Sequence, residues 1–217
     1  MEIQLADKLY SPQRIFCIGR NYAAHIDELK NERPTEPVVF MKPPTCLVPV
    51  GQTLKFPPHG RELHHEAEVV VLVGRDGRPK NANEAREMVA GVALGLDLTL
   101  RDVQSELKKK GLPWEKAKAF ENSSPIGHFV LACQDTHLDN IEFQCQVNGE
   151  LRQKGNTSLM LFPITTLLME LGKIWQLREG DLIYTGTPAG VARLHPGDKI
   201  TLYSPQIGEC SWQMEEL

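Results

Sequence analysis

HHEAEVVVLV, residues 64–73, is the stretch on which the reading of this chain turns. It closes with five consecutive Val or Leu residues, the pattern of a strand buried on both faces. Glu66 and Glu68 open it. Residues two apart on a strand share a face at a separation of about 7 Å, so both carboxylates point the same way as Val70 and Leu72. Two negative charges at that distance repel by about 2 kcal/mol at an effective dielectric of about 20, and partial burial adds a desolvation cost to each. Exposure to water, protonation of one carboxyl, or a cation between them would each resolve the conflict.

Asp97 has the same problem. It sits in ALGLDLTL, residues 93–100, with a leucine on either side. Two apolar strands that each carry carboxylates can converge on one site, and an all-oxygen set suits Mg²⁺, Mn²⁺ or Ca²⁺ rather than zinc. The plainer alternatives are a solvated strand end for the Glu-x-Glu and a turn or capping role for Asp97. The adjacent histidines His64 and His65 point to opposite faces of a strand and read as orienting or loop residues.

Outward from this stretch, the elements read as strands over 14–19, 37–44, 92–98, 181–186 and 198–203. Helices are expected over 21–30, 83–90, 99–111 and 163–173, and a loop over 51–63. Thr99 is the expected N-cap of the third helix, with Asp102 three residues on. FQCQVNGELRQ, residues 143–153, is a hairpin whose Asn-Gly favours a type I′ turn. The order does not alternate regularly, which argues against a doubly wound sheet, and the expected fold class is α+β and β-rich. At 217 residues, one domain over 1–217 is the expectation.

The net charge of −4 comes without a basic block, which argues against nucleic acid. No apolar run approaches a membrane span. The first residues carry acids and no hydrophobic signal core. The five cysteines form no CxxC pair, so neither a zinc knuckle nor a disulfide framework is expected, and a cytoplasmic setting is the simplest.

Six segments occur in order: GRNYAAHIDE (19–28), HHEAEVVV (64–71), LGLDLTLRDVQ (94–104), LPWEKAKAF (112–120), VNGELRQ (147–153) and YTGTPAGV (184–191). Together they resemble the fumarylacetoacetate hydrolase family, most closely its short members, the acylpyruvases and oxaloacetate decarboxylases. The chain is too short for the extra N-terminal domain of fumarylacetoacetase itself. The resemblance implies a mixed β-sandwich roll with a few peripheral helices, in a homodimer. It makes Glu66, Glu68 and Asp97 the ligands of Mg²⁺ or Mn²⁺, with Ca²⁺ as a further option. His25 and Glu28 become a catalytic dyad and Lys118 a residue facing substrate. Arg20, Arg101, Gln104 and Thr187 are the candidate substrate contacts, and residues 19–30 a lid. Each has a plainer reading: a surface ion pair for His25 and Glu28, a solvated charge cluster for Lys118, and capping or pairing for Arg101 and Gln104.

The expected activity is metal-dependent hydrolysis of a carbon–carbon bond in a 2,4-dioxo acid such as an acylpyruvate, through a metal-stabilised pyruvate enolate. Oxaloacetate decarboxylation and isomerisation or tautomerisation of a 2-oxo acid (the hydroxyhepta-dienedioate type) use the same electron sink. The His25–Glu28 pair, suited to activating water, favours hydrolysis. From another class, a non-catalytic binding module with a Ca²⁺ clip predicts stabilisation by metal without turnover.

Overall fold

The structure is a computed structural model, and it describes residues 1–28, 32–133 and 136–216. Two mixed sheets face each other. The larger has eight strands. Seven run in the order Val38–Lys42, Ile15–Gly19, Leu182–Tyr184, Ala67–Val73, Val89–Leu96, Ser124–Ile126 and Leu47–Pro49, and Val130–Leu131 pairs beside Val89–Leu96. The smaller has five: Glu150–Asn156, Glu142–Val147, Lys199–Ser204, Gly208–Met214 and Thr53–Leu54. Most neighbours are antiparallel; Leu182–Tyr184 runs parallel to Ile15–Gly19, and Ser124–Ile126 to Leu47–Pro49.

The apolar run sits at the centre of the larger sheet, and all seven residues of Ala67–Val73 are buried. Val69, Val71 and Val73 enter the main core between the sheets, with Phe143, Cys145 and Ile200 opposite. Val70 and Leu72 enter a second core, closed by the N-terminal hairpin through Ile3, Leu5 and Tyr10. A strand covered on both sides has no face for polar residues, which is why its sequence does not alternate. Burying each of these Val or Leu side chains contributes about 1.5–3 kcal/mol.

The stretch 64–73 is not one strand. Leu63–His65 pairs with Thr99–Leu100 and Ala192–Arg193 in a separate three-stranded sheet, while Ala67–Val73 belongs to the large one. Glu66 is the residue between them. The partner strand Val89–Leu96 likewise ends one residue before Asp97. Both carboxylates therefore lie where backbone ladders part.

The third expected helix starts late, at Arg101. Thr99 is not its N-cap: it pairs with His64 in the small sheet, and its hydroxyl donates to the Asp97 carbonyl at 3.0 Å. Asp102 accepts from the Arg61 amide at 2.8 Å instead. The expected helix over 83–90 is Ala82–Glu87, capped by Asn81, and Val89 already belongs to the long strand. The expected helix over 21–30 is seen as Ala23–Glu28; Leu29 and Lys30 lie outside the described residues. The hairpin turns at Asn148 (φ 53°) and Gly149 (φ 81°), the left-handed pair that a type I′ turn requires. Ile164–Ile174 forms the remaining long helix.

Candidate active site

Register brings the three acids together. Ala67 pairs with Leu96 and Glu68 with Gly95, and the Asp97 amide donates to the Glu66 carbonyl at 2.8 Å. Glu66 and Asp97 are thus cross-strand neighbours, with Glu68 one step further along the same face. One oxygen from each lies within 4.8 Å of the others. All three are buried, at 5%, 2% and 2% exposure for Glu66, Glu68 and Asp97, so the solvated strand end is excluded.

Cations hold this cluster. Lys118 Nζ donates to Glu66 Oε2 at 2.7 Å and to Asp97 Oδ2 at 2.6 Å, and lies 5.2 Å from the centre of the Phe40 ring. Arg101 donates to Glu66 Oε1 and, at 2.6 Å, to Gln104 Oε1. Lys42 Nζ forms a buried ion pair with Asp97 Oδ1 at 2.7 Å and donates a hydrogen bond to the Ser123 carbonyl at 2.7 Å. Burial alone would raise the Glu66 carboxyl; Lys118 and then Arg101 override it and hold it well below the usual carboxylate range. Glu68 has no such partner. Burial, Asp97 and Glu66 push it far above that range, and the Gly186 amide, 2.8 Å from Oε2, only offsets part of this. Three buried carboxylates whose oxygens converge, one of them raised far above the usual range by burial and its acidic neighbours, fit a site for a hard divalent cation.

The turn after Leu182–Tyr184 forms the opposite wall. Gly186 has φ 104°, and a Cβ there would lie 2.7 Å from Asn21 Cβ, so only glycine brings this amide to Glu68. Asn21 is fully buried and ties the turn to the N-terminal segment. Its side chain donates to the Thr185 carbonyl at 2.8 Å and accepts from the Phe162 amide at 2.8 Å. This anchors the helix Ala23–Glu28, which turns His25 inward at 6% exposure. His25 Nδ1 lies 3.2 Å from Glu28 Oε2, and the Glu28 carboxylate also accepts from the Gly190 amide at 3.1 Å. A carboxylate only accepts, so Nδ1 carries the proton and Nε2 the lone pair. Burial lowers the His25 pKa, with Glu66 and Glu28 pulling the other way.

These groups line one cavity of about 30 Å³. His25, Lys118, Arg20, Arg101, Gln104 and Thr187 all border it together with the three acids, as do Lys108 and Trp114. Arg20 adopts a left-handed backbone (φ 58°), and its Nε is buried without a hydrogen-bond partner. Glu115, Lys116 and Glu121 face solvent while Lys118 turns in at 3% exposure, so the charge cluster divides. Lys42, Lys108 and Asn21 were missed in the sequence. Lys42 carried a usable signal, a lone charge in an apolar strand, as Asp97 did.

Comparison with known proteins agrees with this geometry. The family model described as Fumarylacetoacetate (FAA) hydrolase C-terminal matches residues 14–215. The mitochondrial oxaloacetate tautomerase FAHD1 of Bos taurus is 46% identical over 188 residues, 87% of this chain and 85% of that protein. The oxaloacetate tautomerase YcgM of Escherichia coli K12 is 43% identical over 194 residues, 89% of each. The crystal structure of fumarylpyruvate hydrolase from Pseudomonas aeruginosa in complex with Mn²⁺ and pyruvate superposes with a TM-score of 0.94 at 34% identity. It covers 100% of this chain and 96% of that one. An acid cluster built at the parting of two ladders, inside a mixed two-sheet fold matched nearly end to end, makes this chain a member of the fumarylacetoacetate hydrolase family.

Proposed function

We propose that the protein interconverts the keto and enol forms of a small 2-oxo dicarboxylic acid, with oxaloacetate the first compound to test. The observation that carries this reading is the charge of the cavity. Beside the acid cluster it gathers Arg20, Arg101 and Lys108, cationic groups suited to the carboxylates of a dianion. The two tautomerases, at 46% and 43% identity, support the same choice.

A divalent cation held by Glu66, Glu68 and Asp97 would polarise the 2-oxo group as a Lewis acid. The protein's own residues do the rest. Arg101 and Arg20 bind and orient carboxylate groups. His25 Nε2, its tautomer fixed by Glu28, takes the C3 proton and as imidazolium returns it to the C2 oxygen, so one proton moves from carbon to oxygen, His25 is regenerated and no water is consumed. Lys108 takes the distal carboxylate. It stands 5.3 Å from the centre of the Trp114 ring. Burial, then Arg101 and Arg20, lower its pKa to about 8, so it still carries its charge at neutral pH.

A second reading, hydrolysis of an acylpyruvate by water activated at His25, is supported by the same dyad and by the likeness to the fumarylpyruvate hydrolase. Three assays with Mn²⁺ separate the possibilities: loss of enol absorbance from oxaloacetate, release of pyruvate from oxaloacetate, and acid release from acetylpyruvate. Fast enol loss without pyruvate supports tautomerisation. An unaccelerated enol decay alongside rapid acetylpyruvate cleavage refutes it.

Lys108→Ala is expected to raise KM for oxaloacetate about 10-fold, the scale of one partly desolvated charge-assisted contact. Proton exchange of pyruvate, which lacks the second carboxylate, should be unaffected. In the wild type this KM rises above about pH 8, as Lys108 loses its proton; that limb should vanish in the variant. Equal KM changes for both acids would remove Lys108 from the distal site.

A further inference from the structure

Gln153 ends the hairpin segment VNGELRQ and touches neither the acid cluster nor the cavity. It is 1% exposed, on the smaller sheet, directly opposite Cys145 where the ladder carries a bulge. Its side chain leaves that sheet and makes four contacts, with Ala67 of the larger sheet, His65 of the three-stranded sheet, and Thr187 and Pro188 of the turn after Leu182–Tyr184. Oε1 accepts from the Ala67 amide at 3.0 Å and lies 2.9 Å from His65 Nδ1. Nε2 donates to Thr187 Oγ1 at 2.8 Å and to the Pro188 carbonyl at 2.9 Å. The Ala67 amide can only donate and the Pro188 carbonyl can only accept, so the amide orientation is fixed. His65 must then present Nδ1–H, and every polar valence of the Gln153 side chain is used.

The four contacts lie at functional joints. Ala67 is the residue between Glu66 and Glu68. Thr187 borders the cavity, and its hydroxyl donates onward to the Ala67 carbonyl at 2.9 Å. The turn carrying Thr187 is pressed against the same hairpin: a Cβ at Gly190 (φ 96°) would come 2.1 Å from the Arg152 carbonyl. One amide thus fixes the peptide that sets the spacing of two acids and the rotamer of the threonine across from them.

We propose that Gln153 is a positioning residue of the active site: it locks the Glu66–Ala67–Glu68 backbone and the Thr187 hydroxyl into one rigid unit, so that cation affinity and substrate alignment depend on it. The inference rests on Glu66, Glu68 and Asp97 acting as ligands. Groups that hold ligands in place change metal affinity or activity by about 10–100-fold.

The test is Gln153→Met, which keeps the volume and removes all four contacts. Mn²⁺ binding is read without substrate, from the EPR signal of the free ion, and KM and kcat are then measured separately. Val147→Ala, on the neighbouring strand of the same sheet, serves as a control for general loosening of the core, compared at matched loss of thermal stability. The expected result for Gln153→Met is Mn²⁺ affinity weakened about 10-fold or more and a raised KM, with Val147→Ala binding Mn²⁺ as the wild type does. Should Gln153→Met not fold, Gln153→Asn keeps a polar amide but withdraws it from reach, and the same changes are expected. Unaltered Mn²⁺ affinity and KM in the folded variant, or equal losses in Val147→Ala, overturn the proposal. Wild-type protein that binds no Mn²⁺ overturns the ligand assignment and this inference with it. Wild-type binding with an unaffected Gln153 variant overturns this inference alone.

Discussion

Glu68→Gln protein is expected to fold as the wild type does, yet to lose Mn²⁺ binding and catalysis. Without a cation, burial and the neighbouring Asp97 and Glu66 push the Glu68 carboxyl well above its usual range, toward its neutral form. Glutamine reproduces that neutral form in shape and charge and retains an oxygen for the Gly186 amide. The metal-free variant should therefore melt no lower than the wild type. What it cannot do is give up a proton and become an anionic ligand. The expected Mn²⁺ affinity falls by more than about 100-fold, beyond the effect of groups that merely support a ligand. Mn²⁺ at 100 times its Kd should stabilise the wild type by about 2.7 kcal/mol and the variant negligibly. Turnover should drop by at least about 10²–10³-fold, the scale of losing a preorganised electrostatic contact. Thermal melts with and without Mn²⁺ check both halves, and a variant that keeps wild-type affinity sinks the assignment of Glu68.

His25→Ala is the complementary case, with metal binding intact and proton transfer lost. The His25 hydrogen bond goes to Glu28 and not to the three acids, so Mn²⁺ is expected to bind with near wild-type affinity. Removing a positioned base should reduce kcat about 10²–10⁴-fold. The pH profile makes the role specific. Burial lowers the His25 pKa below its ordinary value of 6.5. The unprotonated, competent form therefore dominates at neutral pH, and kcat/KM falls only on acidification below pH 6.5. That acid limb belongs to His25 and should be absent from the residual activity of the variant. A His25→Ala profile with the limb still present would assign it to another group.

Much of this arrangement could be read from the chain before any coordinates, and the failures have physical causes. The double-sided burial of residues 69–73 was legible because five successive Val or Leu residues leave no solvent face. Asp97 stood out because a lone carboxylate among leucines demands compensation. The break at Glu66 was invisible: local propensity does not record that a strand changes sheets, which depends on pairing with residues 99–100 and 192–193. Thr99 looked like a cap for the same reason, since the ladder to His64 overrode the local signal. Gln153 and Lys108 lie on a hairpin and an amphipathic helix, where polar residues are ordinary. Only tertiary contact separates them from their solvated neighbours.

The seat of the Lys118 ammonium between Glu66 and Asp97 bears on what happens when the ion is stripped away. A centre lacking any internal counter-charge would leave bare anions facing one another inside the protein, and chelation would tend to unfold it. Here the chain supplies an ammonium 2.7 Å from Glu66 and 2.6 Å from Asp97, which partly offsets the acids whether or not an ion is bound. The expected consequence is that chelation removes activity reversibly and leaves the far-ultraviolet circular dichroism of the protein unchanged.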